Sequence, residues 1–291
     1  MALEVIRENL ELPVKTDKIG NYHEGISNSD YHADKEFYSS SQLKNAIDSS
    51  ASFRYYLENG KDEETAPWTP SVFRAMDYGS LVHALLLEPH VVRDEFEFCK
   101  TIGGDFRKKE GKELKAKFLK RVARTKRIPL RDIDLTAAKK AVKATKEHSF
   151  AWNLLNNNGY SEYSGYIVEP KTGLKLRIRT DRLSLKDGIV DVKTTESIEK
   201  FWQKAKWEFH YDLSAYMYCY VHMLITGEWP VFWFVVIDRK NRVAVNRVLE
   251  DSRFMNTGRT KFWNATENVL EAIGNPIEKV RYQEVDFEDA A

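Results

Sequence analysis

The chain has 291 residues, 42% of them apolar and 31% charged, with 45 Lys plus Arg against 44 Asp plus Glu. This composition provides enough material for a packed core and argues against disorder, while the longest apolar stretches, such as residues 231–237, are too short to span a bilayer. Two cysteines cannot form a disulfide framework, and the N-terminus lacks the apolar core of a secretory signal. We therefore expect a cytoplasmic protein with no membrane partner. The formal charge of +1 excludes a uniformly basic DNA-coating protein.

The first half of the chain is predicted to be mainly helical. A short helix over the run QLKNAID can be capped by Ser41, and a loop with two prolines follows over residues 60–75. The apolar pattern over 76–88 predicts a helix that Pro89 ends. A second helix is predicted over 134–147, and residues 107–127 between the two are also predicted to be helical.

A strongly basic segment lies between these two helices. Residues 107–127 contain eleven Lys or Arg against two Glu, whereas residues 282–291 contain four acids and no base. A Lys-rich run can be the solvated face of a helix or a track for phosphate groups. On the second interpretation, the residues that contact DNA are Arg107, Lys108, Lys109, Lys112 and Lys115.

The second half of the chain shows alternation typical of strands, interrupted by Gly-containing turns. Strands are predicted over 161–169, 174–183, 188–194, 231–238 and 242–249, and helices over 196–207, 211–226 and 251–273. Helices followed by a small sheet and flanking helices indicate an α/β (α+β) fold with a small mixed sheet.

We find no internal repeat and no proline-rich linker, so we predict one domain over residues 22–275. Its helical part covers 22–150 and its catalytic sheet core covers 151–275. Residues 1–21 are predicted to be an N-terminal extension, and residues 276–291 an acidic tail.

Two aspartates and a lysine lie on neighbouring predicted strands. Asp181 ends one strand, and Asp191 and Lys193 share a face of the next, because residues two apart in a strand point the same way. The intervening turn would bring the two carboxylates together, where they repel each other unless a cation neutralises them. Mg²⁺ prefers such oxygen ligands, and an adjacent ammonium group would stabilise charge on a phosphate. The pattern favours a metal-dependent phosphodiester hydrolase. The alternative is a surface Asp–Lys ion pair in a structural α/β protein.

Two further residues could complete a metal site. His83 follows Gly79 by one turn in an apolar helix, and it is either a hydrogen-bonded core residue or a third metal ligand. Glu162 begins the first strand of the sheet and is either a candidate acid or an exposed carboxylate.

Aromatic residues are concentrated in and before the helix over 211–226. They are Trp207, Phe209, Tyr211, Tyr216, Tyr218 and Tyr220. Stacking on unpaired bases is one explanation, but their helical spacing favours packing in the core.

The ordered set of motifs resembles a known family. It consists of G-x-x-x-H in an apolar helix, a later Glu, an Asp after a strand, D-x-K, and then a helix with Y-D-L-x-A. This set resembles the RecE-type (exonuclease VIII-like) exodeoxyribonucleases of the PD-(D/E)xK superfamily. Residues 25–43 and 111–118 are also similar to segments of that family, so the resemblance covers roughly 22–275.

The resemblance implies a restriction-endonuclease-like core and assigns roles to individual residues. His83, Asp181, Asp191 and the carbonyl of Val192 would bind Mg²⁺, for which Mn²⁺ can substitute. Lys193 would be catalytic together with Asp181, Asp191 and the acidic residue Glu162.

The helix after the catalytic core departs from the family pattern at one position. Ser214 stands where the family usually has Gln, so Tyr211 or Tyr218 would have to supply the contact with DNA. Arg177 and Arg179, on the strand that leads to Asp181, are also predicted to contact DNA.

The resemblance implies degradation of linear double-stranded DNA from its ends, 5′ to 3′, in a bacterial or phage-infected cell. The remaining 3′ single strand would serve recombination with a single-strand annealing protein, and the enzyme would be a ring-like homo-oligomer. Two alternatives use the same residues. One is an endonuclease or a nuclease of other polarity, and the other is a DNA-binding module without catalytic activity.

Overall fold

The computed structural model describes residues 19–60, 70–99 and 109–274. Most of the predicted N-terminal extension, the acidic tail, Arg107 and Lys108 lie outside these ranges. For Lys109 and Lys115 only the backbone is described. The predicted domain boundaries therefore stay predictions.

The described strands form two sheets. They are β1 (Asn21–His23), β2 (Phe96–Cys99), β3 (Ile128–Arg131), β4 (Gly159–Val168), β5 (Lys175–Ser184), β6 (Gly188–Thr195), β7 (Phe232–Asp238) and β8 (Val243–Val248). The larger sheet has the order β1-β4-β5-β6-β7-β8, and its neighbouring strands are antiparallel except for the parallel pair β6 and β7. Strands β2 and β3 form a small parallel sheet.

Helices cover both faces of the larger sheet. They are α1 (Asn28–Ala33), α2 (Ser40–Leu43), α3 (Ser50–Asn59), α4 (Pro70–Leu87), α5 (Val92–Glu95), α6 (Lys109–Thr125), α7 (Asp132–Glu147), α8 (Ser149–Asn156), α9 (Ile198–Trp207), α10 (Tyr211–Thr226) and α11 (Arg253–Gly274). A 3₁₀ turn, Lys44–Ala46, extends α2. Within the described part of the chain, no helix is long and apolar enough to cross a membrane. The predicted α+β architecture, a small mixed sheet flanked by helices, is confirmed.

Two hydrophobic cores lie on opposite faces of the sheet. The first core packs Ile189 of β6 against α3, α9, α10 and α11. The second core packs Val190 and Val192 of the same strand against α4, α7 and α8. Alternate residues of β6 therefore enter different cores, as expected for a strand covered on both faces. This double burial fixes the position of β6 within the larger sheet, between β5 and β7.

Two predicted element boundaries are wrong. The predicted loop over 60–75 is too long, since α4 begins at Pro70, and proline is well suited to the first position of a helix. Ser41 lies inside α2 because the helix begins at Ser40, after the cap residue Ser39. The backbone N–H of Ser39 donates to the side chain of Gln42 at 2.9 Å.

Candidate active site

Asp181, Asp191 and Lys193 meet at the junction of β5 and β6. The pairing of Arg182 with Val190 places Asp181 beside Asp191 on the adjacent strand. Both carboxylates are buried, with 9% and 6% of the residue exposed. The backbone N–H of Val192 donates to Asp181 Oδ2 at 2.6 Å, and Lys193 Nζ lies 2.5 Å from Asp191 Oδ2. The structure thus brings together the two carboxylates and the lysine.

His83 reaches the same place from the opposite half of the chain. Its Nε2 lies 2.5 Å from Asp181 Oδ2, and its Nδ1 lies 3.2 Å from Glu162 Oε1. One turn earlier in α4, a Cβ added to Gly79 would lie 3.0 Å from Thr194 Oγ1, so the glycine permits close packing of α4 on the end of β6. This packing carries His83 to the carboxylates.

Glu162 adopts an unusual backbone conformation within β4. Its φ is +49°, in the left-handed region that a residue with a side chain occupies at a cost of about 1–3 kcal/mol. Neighbouring residues keep regular pairing with β5, with Ser161 opposite Arg182 and Tyr163 opposite Thr180. The residue with this strained backbone is the one whose carboxylate contacts His83. Strained backbone conformations of this kind are concentrated at functional sites.

The charges around His83 determine its protonation. Burial by itself lowers the pKa of His83, but the charge of Asp181 and hydrogen bonds to Asp181 and Glu162 raise it to about 10. The pKa of Asp181 falls below its usual value, because the charges of His83 and Lys193 outweigh the effect of burial. Without a cation, His83 is therefore an imidazolium between two carboxylates.

Asp191 and Lys193 form a second charged pair. Burial raises the pKa of Asp191 to about 6, although the charge of Lys193 opposes this shift. The pKa of Lys193 rises above its usual value, because the charges of Asp191 and Asp181 outweigh its burial. Lys193 is consequently a cation at neutral pH.

The donor atoms fit a divalent cation. One ligand atom from each of His83, Glu162 and Asp181 lies within 4.8 Å of the others. Two carboxylates and an imidazole are a donor set that divalent ions accept once the imidazole has lost its proton. Asp191 faces Lys193 instead, and the carbonyl of Val192 accepts a hydrogen bond from Lys193 Nζ at 3.3 Å. The predicted ligands thus lie together, while the role of each stays a prediction.

Arg177 and Arg179 are held by protein atoms. They are 2% and 8% exposed, and both guanidinium groups lie over the ring of Tyr31, at 4.7 and 4.2 Å from its centroid. Arg179 also donates to Ser164 Oγ at 3.0 Å, and Arg177 donates to the carbonyl of Asp34. The two arginines line a cavity of about 290 Å³ next to Asp181 and Glu162. Their predicted contact with DNA stays a prediction, and their hydrogen bonds give them a structural role in this wall.

Helix α10 brings aromatic residues to the site. The centroid of Tyr211 lies 5.1 Å from Lys193 Nζ. Tyr218 contributes to the wall of the same cavity, and Ser214 is half-buried in the first turns of the helix. Of the three residues of α10 that were predicted to contact DNA, Tyr211 lies nearest to Lys193 by the described contacts.

Lys44 is a residue of this site that the sequence analysis did not single out. Its Nζ lies 4.9 Å from the centroid of Tyr211, the same ring that Lys193 contacts. Burial and the nearby charge of Lys193 lower the pKa of Lys44 to about 7. The run QLKNAID gives no signal for this role, since only the fold brings the 3₁₀ turn to Tyr211.

Within the described part of the basic segment, Lys109–Thr125 forms helix α6, which packs on the small sheet. Phe118 is buried there, and Arg121 Nε pairs with Glu97 Oε1 of β2 at 2.9 Å. Lys112 is exposed. The segment is therefore both a packed element and a positively charged surface.

Comparisons with known proteins agree with this architecture. Residues 39–289 match the family model described as a PDDEXK-like domain of unknown function (DUF3799). A crystal structure described as "Putative exonuclease" from Eubacterium rectale has a TM-score of 0.57 at 14% identity, over 92% of this chain and 98% of that chain. At this identity the likeness shows the fold alone. No curated protein matches the sequence.

The family match supports the PD-(D/E)xK nuclease superfamily, while the RecE-type resemblance is a finer prediction. The matched range includes Asp181, Asp191 and Lys193 as well as His83 and Glu162. The match extends over most of the chain and contains the complete carboxylate–lysine cluster. The chain belongs to this PDDEXK-like family.

Proposed function

We propose that the protein is a metal-dependent exonuclease that hydrolyses phosphodiester bonds of linear double-stranded DNA. The proposal is based on two groups of side chains that lie next to each other. The cluster of His83, Glu162 and Asp181 lies directly beside the Asp191–Lys193 pair on the neighbouring strand. Carboxylates for a cation and an ammonium group for a phosphate are the two requirements of metal-assisted phosphodiester hydrolysis.

The proposed cation is Mg²⁺, with Mn²⁺ as a substitute. His83, Glu162 and Asp181 hold it, and Asp191 and the carbonyl of Val192 are adjacent oxygen donors. When bound, the cation supplies positive charge that polarises the phosphate and lowers the pKa of water. His83 must release its proton to become a ligand.

The remaining steps depend on groups of this chain. Water adds to phosphorus and the 3′ oxygen leaves, so each cut produces a 5′-phosphorylated product. Lys193 is a cation near neutral pH, and its ammonium group stabilises the charge that develops on the phosphate and on the leaving oxygen. Asp191 orients Lys193 through their 2.5 Å contact. Tyr211 lies against Lys193 and limits the positions that the lysine can adopt.

The choice of substrate rests on the basic segment and on the resemblance to RecE-type enzymes. The exposed positive charge of α6 suits a phosphate backbone. The finer properties come from the resemblance: 5′ to 3′ direction, a 3′ single strand for recombination, a ring-like homo-oligomer and a single-strand annealing partner.

A time course on linear duplex labelled at the 5′ or the 3′ end tests the proposal. We expect loss of the 5′ label first with Mg²⁺ or Mn²⁺, and no hydrolysis with a chelator or with Lys193→Ala. Cleavage of covalently closed circles would instead identify an endonuclease. Intact linear DNA that binds equally well to the wild type and Lys193→Ala would identify a binding module.

A further inference from the structure

Two aromatic side chains stand exposed just before α10. Trp207 ends α9 and is 64% exposed, and Phe209 follows two residues later and is 40% exposed. Tyr216 and Tyr220 of α10, in contrast, are only 7% exposed and belong to the first core. Core packing therefore explains the aromatic residues inside the helix and leaves Trp207 and Phe209 without an explanation.

The backbone that carries this aromatic pair is fixed by hydrogen bonds. The N–H groups of Glu208 and Phe209 both donate to the carbonyl of Lys204, at 2.9 and 2.8 Å. From α11, Lys261 Nζ donates to the carbonyl of Lys206 at 2.6 Å and lies 3.0 Å from His210 Nδ1. The backbone of the pair is held in position before any ligand arrives, so binding would not need to order this segment of the chain.

A short series of contacts joins the aromatic pair to the candidate active site. The rings of Phe209 and Tyr211 are stacked, with centroids 5.4 Å apart and planes inclined by 29°. The Tyr211 centroid lies 5.1 Å from Lys193 Nζ. A strand whose phosphate contacts Lys193 therefore has its neighbouring nucleotides within reach of Phe209.

The charges around the pair favour a nucleic acid. Lys206 Nζ and Lys261 Nζ lie 4.7 and 5.4 Å from the Trp207 ring centroid, and Lys204 Nζ lies 5.9 Å from the centroid of Phe209. Two of these lysines form ion pairs, Lys204 with Glu208 at 3.3 Å and Lys261 with Asp212 at 2.9 Å. Aromatic faces among lysines are the usual components of a surface that stacks bases and attracts their phosphates. Lysine is depleted at the centres of interfaces between proteins, which disfavours a second copy of the chain as the occupant.

We propose that Trp207 and Phe209 form a stacking surface for unpaired bases of single-stranded DNA beside the cleavage site. The proposal rests on the proposed nuclease function, because only that function brings DNA to Lys193. Stacking requires an exposed base face, which a paired duplex offers only at its end. The surface thus suits the frayed end or the strand that remains after cleavage.

Fluorescence anisotropy with labelled oligo-dT and with blunt duplex, both in chelator, tests this surface without hydrolysis. Since stacking of one base is worth about 1–3 kcal/mol, we expect Trp207→Ala with Phe209→Ala to weaken oligo-dT binding roughly tenfold or more, and duplex binding much less. Trp207→Phe with Phe209→Tyr should restore most of the affinity. The control is Phe150→Ala, which removes a 46% exposed ring that packs against Trp233.

Tryptophan fluorescence supplies an independent measurement. Oligo-dT should quench the emission of the wild type, and Trp207→Phe should lose most of this quenching. Unchanged oligo-dT affinity of the double alanine variant would overturn the proposal, as would an equal loss for duplex and single strand. A change in sedimentation with unchanged affinity would assign the pair to an interface between copies. The assay needs no cleavage. Failure of the stacking proposal can therefore be distinguished from failure of the nuclease proposal.

Discussion

At the scale of single residues, the protonation of His83 governs whether a cation can bind. His83 Nε2 contacts Asp181, and the pKa of the imidazole is about 10, so a proton occupies the position that a cation would take. A metal ion accepts only neutral imidazole, so binding must displace this proton.

We predict that the affinity for Mn²⁺ rises as the pH increases from 6 to 9. With the His83 pKa at about 10, binding releases about one proton from His83 throughout this range, so the association constant should increase roughly tenfold per pH unit. Asp191, whose pKa is about 6, adds to this proton release only near pH 6, at the lower end of the range. Calorimetry in buffers with different ionisation enthalpies counts the protons. An affinity independent of pH would contradict the imidazolium assignment, and His83→Gln should remove most of the dependence.

Lys44 provides a second prediction at the same scale. Its ammonium group is half-buried against Tyr211, and among the described contacts its acidic neighbours are too far for a hydrogen bond, so its burial costs stability in the free protein. We expect Lys44→Met to raise the Tm and to slow DNA hydrolysis roughly tenfold, because a phosphate at Lys193 would lose a nearby positive charge. Thermal unfolding and initial rates measure both effects. Lys200→Met, which removes an exposed lysine of α9, is the control. A faster or unchanged rate would exclude Lys44 from the site.

At the scale of elements, the start of α10 depends on one close contact with α11. A Cβ added to Gly258 would lie 2.0 Å from the carbonyl oxygen of Asp212, so the two helices can approach this closely only because residue 258 lacks a side chain. Lys261, one turn later, pairs with Asp212 at 2.9 Å. Together they fix the first turn of α10 and therefore Tyr211.

We predict that Gly258→Ala destabilises the protein by about 1–3 kcal/mol, because the added methyl group forces the helices apart. Urea unfolding measures the change, and hydrolysis should slow as Tyr211 moves away from Lys193. Gly274→Ala is a matched control in the same helix, since nothing lies within 4 Å of its added Cβ. Equal stability of the two variants would contradict the tight contact.

Periodicity predicted the long elements, and the cores explain why. Alternation along β5 and β6 and the apolar pattern of α4 and α10 reflect burial against the sheet. The small parallel sheet of β2 and β3 was not predicted, because strands of four residues carry too little pattern. The cluster of Asp181, Asp191 and Lys193 could be predicted because a short turn joins its strands. The left-handed conformation of Glu162 and the position of Lys44 depend on contacts between distant segments, so the local sequence holds no sign of them.

At the scale of the whole molecule, the formal charge of +1 is a sum that does not reveal the strongly basic helix α6, which packs beside the small sheet. Part of the charge of the basic segment is neutralised locally, since Arg121 of α6 and Arg127, two residues after the helix, both pair with Glu97. Lys112 and Lys117 are exposed and remain available for phosphates. The net charge therefore gives little information about the affinity for DNA, which depends on where the basic residues lie.

We predict that Lys112→Ala with Lys117→Ala weakens duplex binding at low salt and reduces the slope of log affinity against log salt. Each lost phosphate contact lowers that slope by about 0.9, so two contacts lower it by about 1.8. Filter binding over a salt series measures the slope. Lys139→Ala with Lys140→Ala removes two exposed lysines from α7 and serves as the control. If both double variants lose the same slope, α6 has no special role.

The position of His83 has a consequence for cooperativity. His83 precedes its partner Asp181 by 98 residues and belongs to the helical half of the chain, whereas Asp181 belongs to the sheet. A cation that binds both residues ties α4 to β5, so any opening of α4 away from the sheet must also release the ion. Occupancy would therefore slow hydrogen exchange of the amides of α4 more than that of α10, whose packing does not include a ligand. The metal would thus link the helical half of the domain to the sheet, and its loss would let the two halves open independently of each other.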